Sequence, residues 1–348
     1  MSGVPRRPMQ AAIIFNVALL LLLAAVPAWT QDLQDLRIGI IDFYGLRQVP
    51  ESRARDALRI VEGDRVPDSV TEAEQRLAAL PGVLSARVRR VCCDGFKAIL
   101  YVGIEEQGSP VLRFRSAPHG RIRLSDDIVQ ARDDFNQAGM QAILRGDAGE
   151  DHSEGHSLMH DPAARAIQER FIAYAARDLS RLRDVLRHSS DGEHRALAAQ
   201  VLGYVVDKRA VVGDLVYGMD DPSEEVRNNC SRALWIIAKF ASRSPDLKIR
   251  VPTKPFIRLL NSPVWSDLNK TSLALMELSG NRDPVLLTSI REQAVRSLVE
   301  MARWKSEGHA MPALIILGRI GGWSEEDVQS AWMRGERETV VNAVLKRR

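Results

Sequence analysis

The chain has 348 residues, of which 45% are apolar and 27% charged, with a formal net charge of +3. This is enough length for two domains and enough apolar residue for a real core. The near balance of charge, with Arg interleaved among Asp and Glu, argues against a nucleic-acid partner, which calls for one dense basic face.

Residues 1–30 read as a targeting segment. Arg6 and Arg7 form a positive start, Ala11–Ala28 is apolar apart from Asn16, and Ala28-Trp29-Thr30 offers small residues for cleavage before Gln31. The run is also nearly long enough to span a bilayer, so a retained single anchor is the alternative to a cleaved signal peptide. Either form exports the bulk of the chain to the periplasm or envelope. In that compartment disulfides are permitted. Cys92 and Cys93 are adjacent in a strand-like run, where a bridge between neighbours is strained, and Cys230 lies on an apolar helical stripe. The expectation is packing cysteines, with at least one free thiol because the count is odd.

Residues 36–106 alternate β and α signals. Ile38-Gly39-Ile40-Ile41-Asp42-Phe43 is β-rich. Pro50–Val61 has helical spacing and stops at Gly63, and Thr71–Leu80 opens with Thr71 and Glu74 at capping-box spacing before Pro81-Gly82. Leu84–Cys93 and Phe96–Glu105 then flank Asp94-Gly95, a strong hairpin signal. The order is β-α-α-β-β.

This module resembles the POTRA domain of outer-membrane assembly, secretion and division proteins. The resemblance rests on Ile40 and Gly45, on Glu62-Gly63-Asp64, on Leu77-Ala78-Ala79-Leu80-Pro81-Gly82-Val83, and on Val102-Gly103-Ile104-Glu105-Glu106. It implies a protein-binding domain that accepts strands at its sheet edge. A sheet that only caps the following helices is the plainer alternative. Residues 107–161 read as a linker or further edge strand, then one helix over Leu124–Leu144, then a polar surface loop over Arg145–Asp161.

Residues 162–348 are helical nearly throughout: Ala163–His188, His194–Val206, the pair within Lys208–Phe240, Lys254–Asn261, Leu268–Ser279, Pro284–Trp304, Pro312–Ile320 and Ser324–Leu345. In the Lys208–Phe240 pair, Val211, Leu215 and Met219 form one stripe, and Val226, Cys230, Leu234 and Ile237 another. Asp221, Pro222 and Glu224 between them suit a capped helix start. Two such helices cannot bury both stripes alone, which predicts a stacked solenoid. Asp221-Pro222-Ser223-Glu224-Glu225-Val226-Arg227 followed by Ala233-Leu234 resembles a HEAT repeat, of the HEAT-like kind also seen in phycobilisome lyases. That resemblance implies structural roles for Asp221 and Arg227, stitching successive repeats, and nominates no catalytic residue. Five of the six tryptophans lie in this half, as gap fillers between helices or as anchors for a partner.

One constellation suggests chemistry. His152, His156 and His160 stand at i, i+4 and i+8 and would share a helical face able to hold zinc, although Gly155 and Pro162 favour a loop. Gly155-His156-Ser157-Leu158-Met159 starts like a nucleophile elbow but lacks the second glycine. Phosphate loops, dinucleotide fingerprints and Cys-x-x-Cys pairs are missing from the sequence. The reading is therefore an α+β chain: a POTRA-like module followed by an all-α HEAT-like solenoid. It is expected to be a non-enzymatic exported scaffold with no cofactor, binding other envelope proteins. A metal-dependent exported enzyme using His152, His156 and His160, and a single-pass division-type protein, are the alternatives.

Overall fold

The computed structural model describes residues 36–95 and 97–346. The targeting expectation for residues 1–30 lies outside them. Among the described residues no helix is long and apolar enough to cross a membrane.

The first module is a three-stranded sheet with two helices on one face. Its elements are β1 (Ile38–Tyr44), α1 (Glu51–Leu58), α2 (Thr71–Ala78), β2 (Val83–Asp94) and β3 (Lys97–Glu106). The sheet order is β1-β3-β2, with β1 parallel and β2 antiparallel to the central β3. The Asp94-Gly95 turn closes the β2–β3 hairpin, with Gly95 at φ 54°. The expected capping box at α2 is absent: Glu74 accepts instead from Val88 N at 2.8 Å. Glu106 accepts from the backbone N–H groups of Arg47, Gln48 and Val49, which pins the β1–α1 connection.

β3 explains how the module meets the rest of the chain. Ala98 to Val102 and Ile104 are all buried, the signature of a strand covered on both faces. Leu100, Val102 and Ile104 pack with Ala54, Leu58, Ala73 and Leu77 beneath α1 and α2. Ile99 and Tyr101, on the opposite face, belong to the core of the helical half. Tyr101 stacks on Trp265 with centroids 5.2 Å apart, and its hydroxyl is 2.8 Å from His309 Nδ1. Tyr44 Oη donates to Pro263 O at 2.7 Å. Gly103 is required here, because a Cβ would run into Pro263 O and the Tyr44 ring. Lys305 N donates to Asp42 and Gly45 N to Glu300, completing the junction.

Parts of both sheet edges are also occupied. Outside β1, Arg37 bridges Arg65 and Val66 N donates to Leu36 O. On the outer side of β2, Val88 N is the group taken by Glu74. Cys92 is disulfide-bonded rather than a packing thiol, at a point where the β2 register shifts between Val91 and Asp94. Cys230 is free and buried.

Residues 107–125 form neither a sheet strand nor a free linker. They run against the ends of the helices: Arg115 N donates to Asp220 O, and Gly120 pairs with the His188–Ser190 backbone. The guanidinium of Arg115 lies 3.5 Å from the Tyr217 ring centroid.

The helical half begins with α3 (Asp126–Leu144), a small hairpin of β4 (Glu150–Asp151) and β5 (Leu158–Met159), and α4 (Pro162–Arg177). The solenoid pairs are α5 (Leu179–His188) with α6 (Gly192–Leu202), then α7 (Arg209–Gly218) with α8 (Glu224–Arg243). They continue as α9 (Lys254–Leu259) with α10 (Trp265–Leu278), α11 (Pro284–Ala302) with α12 (Glu307–Gly321), and α13 (Glu325–Met333) with α14 (Arg337–Lys346). Helices α6, α8, α10, α12 and α14 stack as one continuous row, each burying its stripe on the next.

Three readings of the helices need correction. The run expected from Ala163 to His188 breaks at Asp178, whose φ of −115° ends α4. The segment expected over Ser324–Leu345 breaks at Gly335, in the left-handed region at φ 72°. Asp221 does not cap α8, which starts three residues later with Ser223 at its N-cap.

Asp221 is instead an acceptor between repeats. Arg195 on α6 donates to it through Nε and Nη2 at 2.9 and 2.8 Å. Arg227 on α8 reaches forward to Asp267 on α10, with Nη2 at 2.9 Å from Oδ2, and its Nη1 donates back to Asp221 O. Ser262 also donates to Asp267. All four charged side chains are buried. Each guanidinium therefore finds the bidentate partner and carbonyl acceptors that a buried charge requires.

Candidate functional site

The main cleft, about 1230 Å³, lies between α3, the β4–β5 hairpin and the inner faces of α6 and α8. Phe135 from α3, Met159 from the hairpin and Ile236 from α8 supply apolar walls. Met140 and Ile143, at 40% and 44% exposure, extend the α3 wall towards solvent.

Several of its polar groups are committed to the protein. Asn229 Nδ2 donates to Ala196 O at 2.9 Å. Gln168 accepts from Met159 N and donates to Tyr204 Oη, so a polar residue on the apolar stripe of α4 is fully used. Arg232 Nη2 is 2.5 Å from both Glu150 oxygens and 3.2 Å from Ser157 Oγ. Burial raises the Glu150 pKa, but the His152 hydrogen bond, the Arg232 guanidinium and Ser157 outweigh it and hold the carboxyl down at about 2.

Behind the hairpin, Lys208 is 2% exposed. Its Nζ lies 3.2 Å from His156 Nδ1 and 3.1 Å from Gly203 O. A charged amine only donates, so His156 Nδ1 is the acceptor and the ring is neutral. Burial, and then the Lys208 charge, push the His156 pKa down to about 4. Burial lowers Lys208 to about 8. Gly155 lets the backbone pass over this pair at φ 72°; a Cβ there would sit 2.9 Å from both Lys208 Cε and Phe240 Cδ1.

The expected solvated loop at Arg145–Asp161 is thus a docked strap, with Gly155 to Met159 buried. It also corrects the zinc reading of His152, His156 and His160. That reading needed one helical face, and the hairpin sends the three rings apart. His152 bonds to Glu150 and meets the Trp235 ring edge-on, His156 turns to Lys208, and His160 is exposed. Among the described residues, no group of three or more His, Cys, Asp or Glu side chains is placed to hold a metal ion. Ser157 precedes β5 and faces Arg232, which is not the strand-to-helix turn of a nucleophile elbow.

Sequence reasoning missed Glu150, Arg232, Gln168 and Lys208. Gln168 had a usable signal, since it interrupts the stripe of Ala164, Phe171 and Ala175. Arg232 and Glu150 are 82 residues apart, and no local pattern links them.

No family model matches the chain, and no curated protein matches it. Among solved structures, a designed armadillo repeat protein in complex with the peptide (KR)4 is 17% identical, covers 64% of this chain and 99% of its own, and has a TM-score of 0.36. A computationally designed armadillo repeat protein for modular peptide recognition is 18% identical, with 63% and 98% coverage and a TM-score of 0.37. A further armadillo design has the same identity and coverages, with a TM-score of 0.35. Likenesses at those TM-scores carry no argument about this chain.

Proposed function

We propose that the chain is a non-enzymatic scaffold that holds an extended polypeptide segment in the cleft between α3 and the inner faces of α6 and α8. The cleft itself carries this reading. At about 1230 Å³ it exceeds the ~300–1,000 Å³ of small-molecule pockets. Its walls mix apolar side chains from α3, the hairpin and α8 with polar ones, and the polar side chains discussed above already have partners, which suits recognition more than reaction. In this reading the POTRA-like module is a brace first, since one sheet face is packed on the helices, the β1 edge is bridged and Glu74 takes one backbone group of the β2 edge.

Short random peptides displayed on phage and panned against the full chain test the reading. Peptides selected by the wild type are expected to bind Met140→Asp and Ile143→Asp about tenfold more weakly, a loss of ~1.4 kcal/mol. Both side chains are exposed, so folding is spared. Equal binding to the variants would place the ligand elsewhere and end this reading.

We infer further that the scaffold works in the cell envelope, on the strength of Arg6, Arg7 and the apolar run Ala11–Ala28. N-terminal sequencing of the protein from its host is expected to begin at Gln31. An uncut N-terminus would favour the anchored, division-type alternative.

A further inference from the structure

The β4–β5 hairpin brings a single carboxylate onto an inner face rich in cations. Glu150 sits on Arg232, with His152 Nε2 at 3.1 Å from its Oε2. Lys270 on α10 is half-buried and close enough to sense the charges of both Arg232 and Glu150. Among the described residues, the one hydrogen bond its ammonium makes goes to Asn269 Oδ1, on the adjacent residue, and it forms no ion pair. The ammonium of Lys239 on α8 reaches, among the described residues, only His152 Nδ1, at 3.5 Å. Arg232 thus holds the one acid, with Lys270 close enough to sense it and Lys239 one ring further off. Positive charge held in a desolvated place without partners costs stability. A fold that keeps such a cost is expected to do so at a site that meets something else.

We propose that Arg232, flanked by Lys239 and Lys270, is a carboxylate-binding site filled here by the protein's own Glu150, and that the segment entering the cleft carries an aspartate or glutamate that exchanges with it. This rests on the peptide reading of the cleft, which Glu150 and Arg232 both line. The hairpin is built for such an exchange. Its Gly155–Met159 half is buried and bonded to Lys208 and Gln168. Glu150 belongs to the half-buried β4, paired to β5 through Glu150↔Met159 and Asp151↔Leu158, with His160 N donating to Gly149 O beside them. Its side chain can swing out while the other half stays docked. A guanidinium accepts an incoming carboxylate with the same geometry, so nothing else need rearrange.

Fluorescence anisotropy on the full chain tests this with three labelled peptides, in which Ala alternates with Glu, Lys or Ser. Glu150→Ala is expected to bind the Glu peptide about tenfold more tightly than wild type, the equivalent of ~1.4 kcal/mol. The Ser peptide should not change, and adding Arg232→Ala should abolish the gain. Glu150→Gln, which keeps the side chain's size, serves as a second variant and should gain less than Glu150→Ala. No gain for the Glu peptide, or an equal gain for the Ser peptide, overturns the proposal. If that happens while Met140→Asp still releases library-selected peptides, the cleft reading stands and only the carboxylate exchange is wrong. If neither effect is seen, both fall.

Discussion

Two added elements press on the inner row of helices, and they are held in opposite ways. The sheet module docks through Tyr44, Tyr101, Trp265 and Trp304, with Gly103 admitting the backbone of Pro263. The hairpin docks through Glu150, Arg232, His156 and Lys208, beside an open cleft. Aromatic area removed from water is a permanent gain. The Glu150–Arg232 pair, mostly buried at 22% and 31% exposure, gains from its charges, but much of that gain is offset by the water both partners give up. The sheet is therefore a fixed brace, and the Glu150 side of the hairpin is an exchangeable contact on the same scaffold.

The sharpest way to break that contrast is to truncate one anchor from each junction. Tyr101→Ala should cost about 3–5 kcal/mol in urea unfolding, as for other buried aromatics. Arg227→Ala, in the spine that carries both elements, should cost a similar ~3–5 kcal/mol by leaving Asp267 buried and unpaired. Glu150→Ala should cost less, about 1–3 kcal/mol, by leaving Arg232 partly buried without its carboxylate. If Glu150→Ala were as harmful as Tyr101→Ala, the hairpin would be a structural lock and the contrast would fail.

Acid provides a finer comparison, because each junction contains a neutral histidine beside a lysine. Burial, with a smaller push from Lys270, lowers His309 to about 4, and burial with Lys208 does the same for His156. Both folded values lie below the ordinary 6.5, so between pH 6.5 and 4 the unfolded chain binds more protons. Stability from these two groups is complete above pH 6.5 and is lost as pH falls towards 4. Thermal melts across that range should show the fall. His156→Gln should lessen it while leaving the share that belongs to His309. A melt unaffected by pH in this window would show that neither ring is held neutral.

The legible parts of the sequence were those with local physical causes. β3 could be read from its continuous apolar run and the hairpin from Asp94-Gly95, because burial on two faces and a positive φ each demand particular residues. The solenoid stripes were readable for the same reason. The break at Asp178 was not, since neither Gly nor Pro marks it. Nor was the 145–161 hairpin, whose two-residue strands are too short to show a period. The HEAT resemblance pointed to Asp221 and Arg227 as stitches between repeats, but their partners Arg195 and Asp267, 26 and 40 residues away, are found only in the folded chain. The Glu150–Arg232 contact at the cleft is hidden for the same reason.

The doubly covered β3 has a consequence for the order of assembly. Tyr44 finds its acceptor 219 residues later in the chain, and Tyr101 finds His309 after 208. On a ribosome or in a translocon, the amino-terminal sheet therefore emerges long before the helices that shelter its second side. Until they arrive, its tyrosines and Ile99 face solvent, and the nascent chain must be shielded by a chaperone or wait half-built.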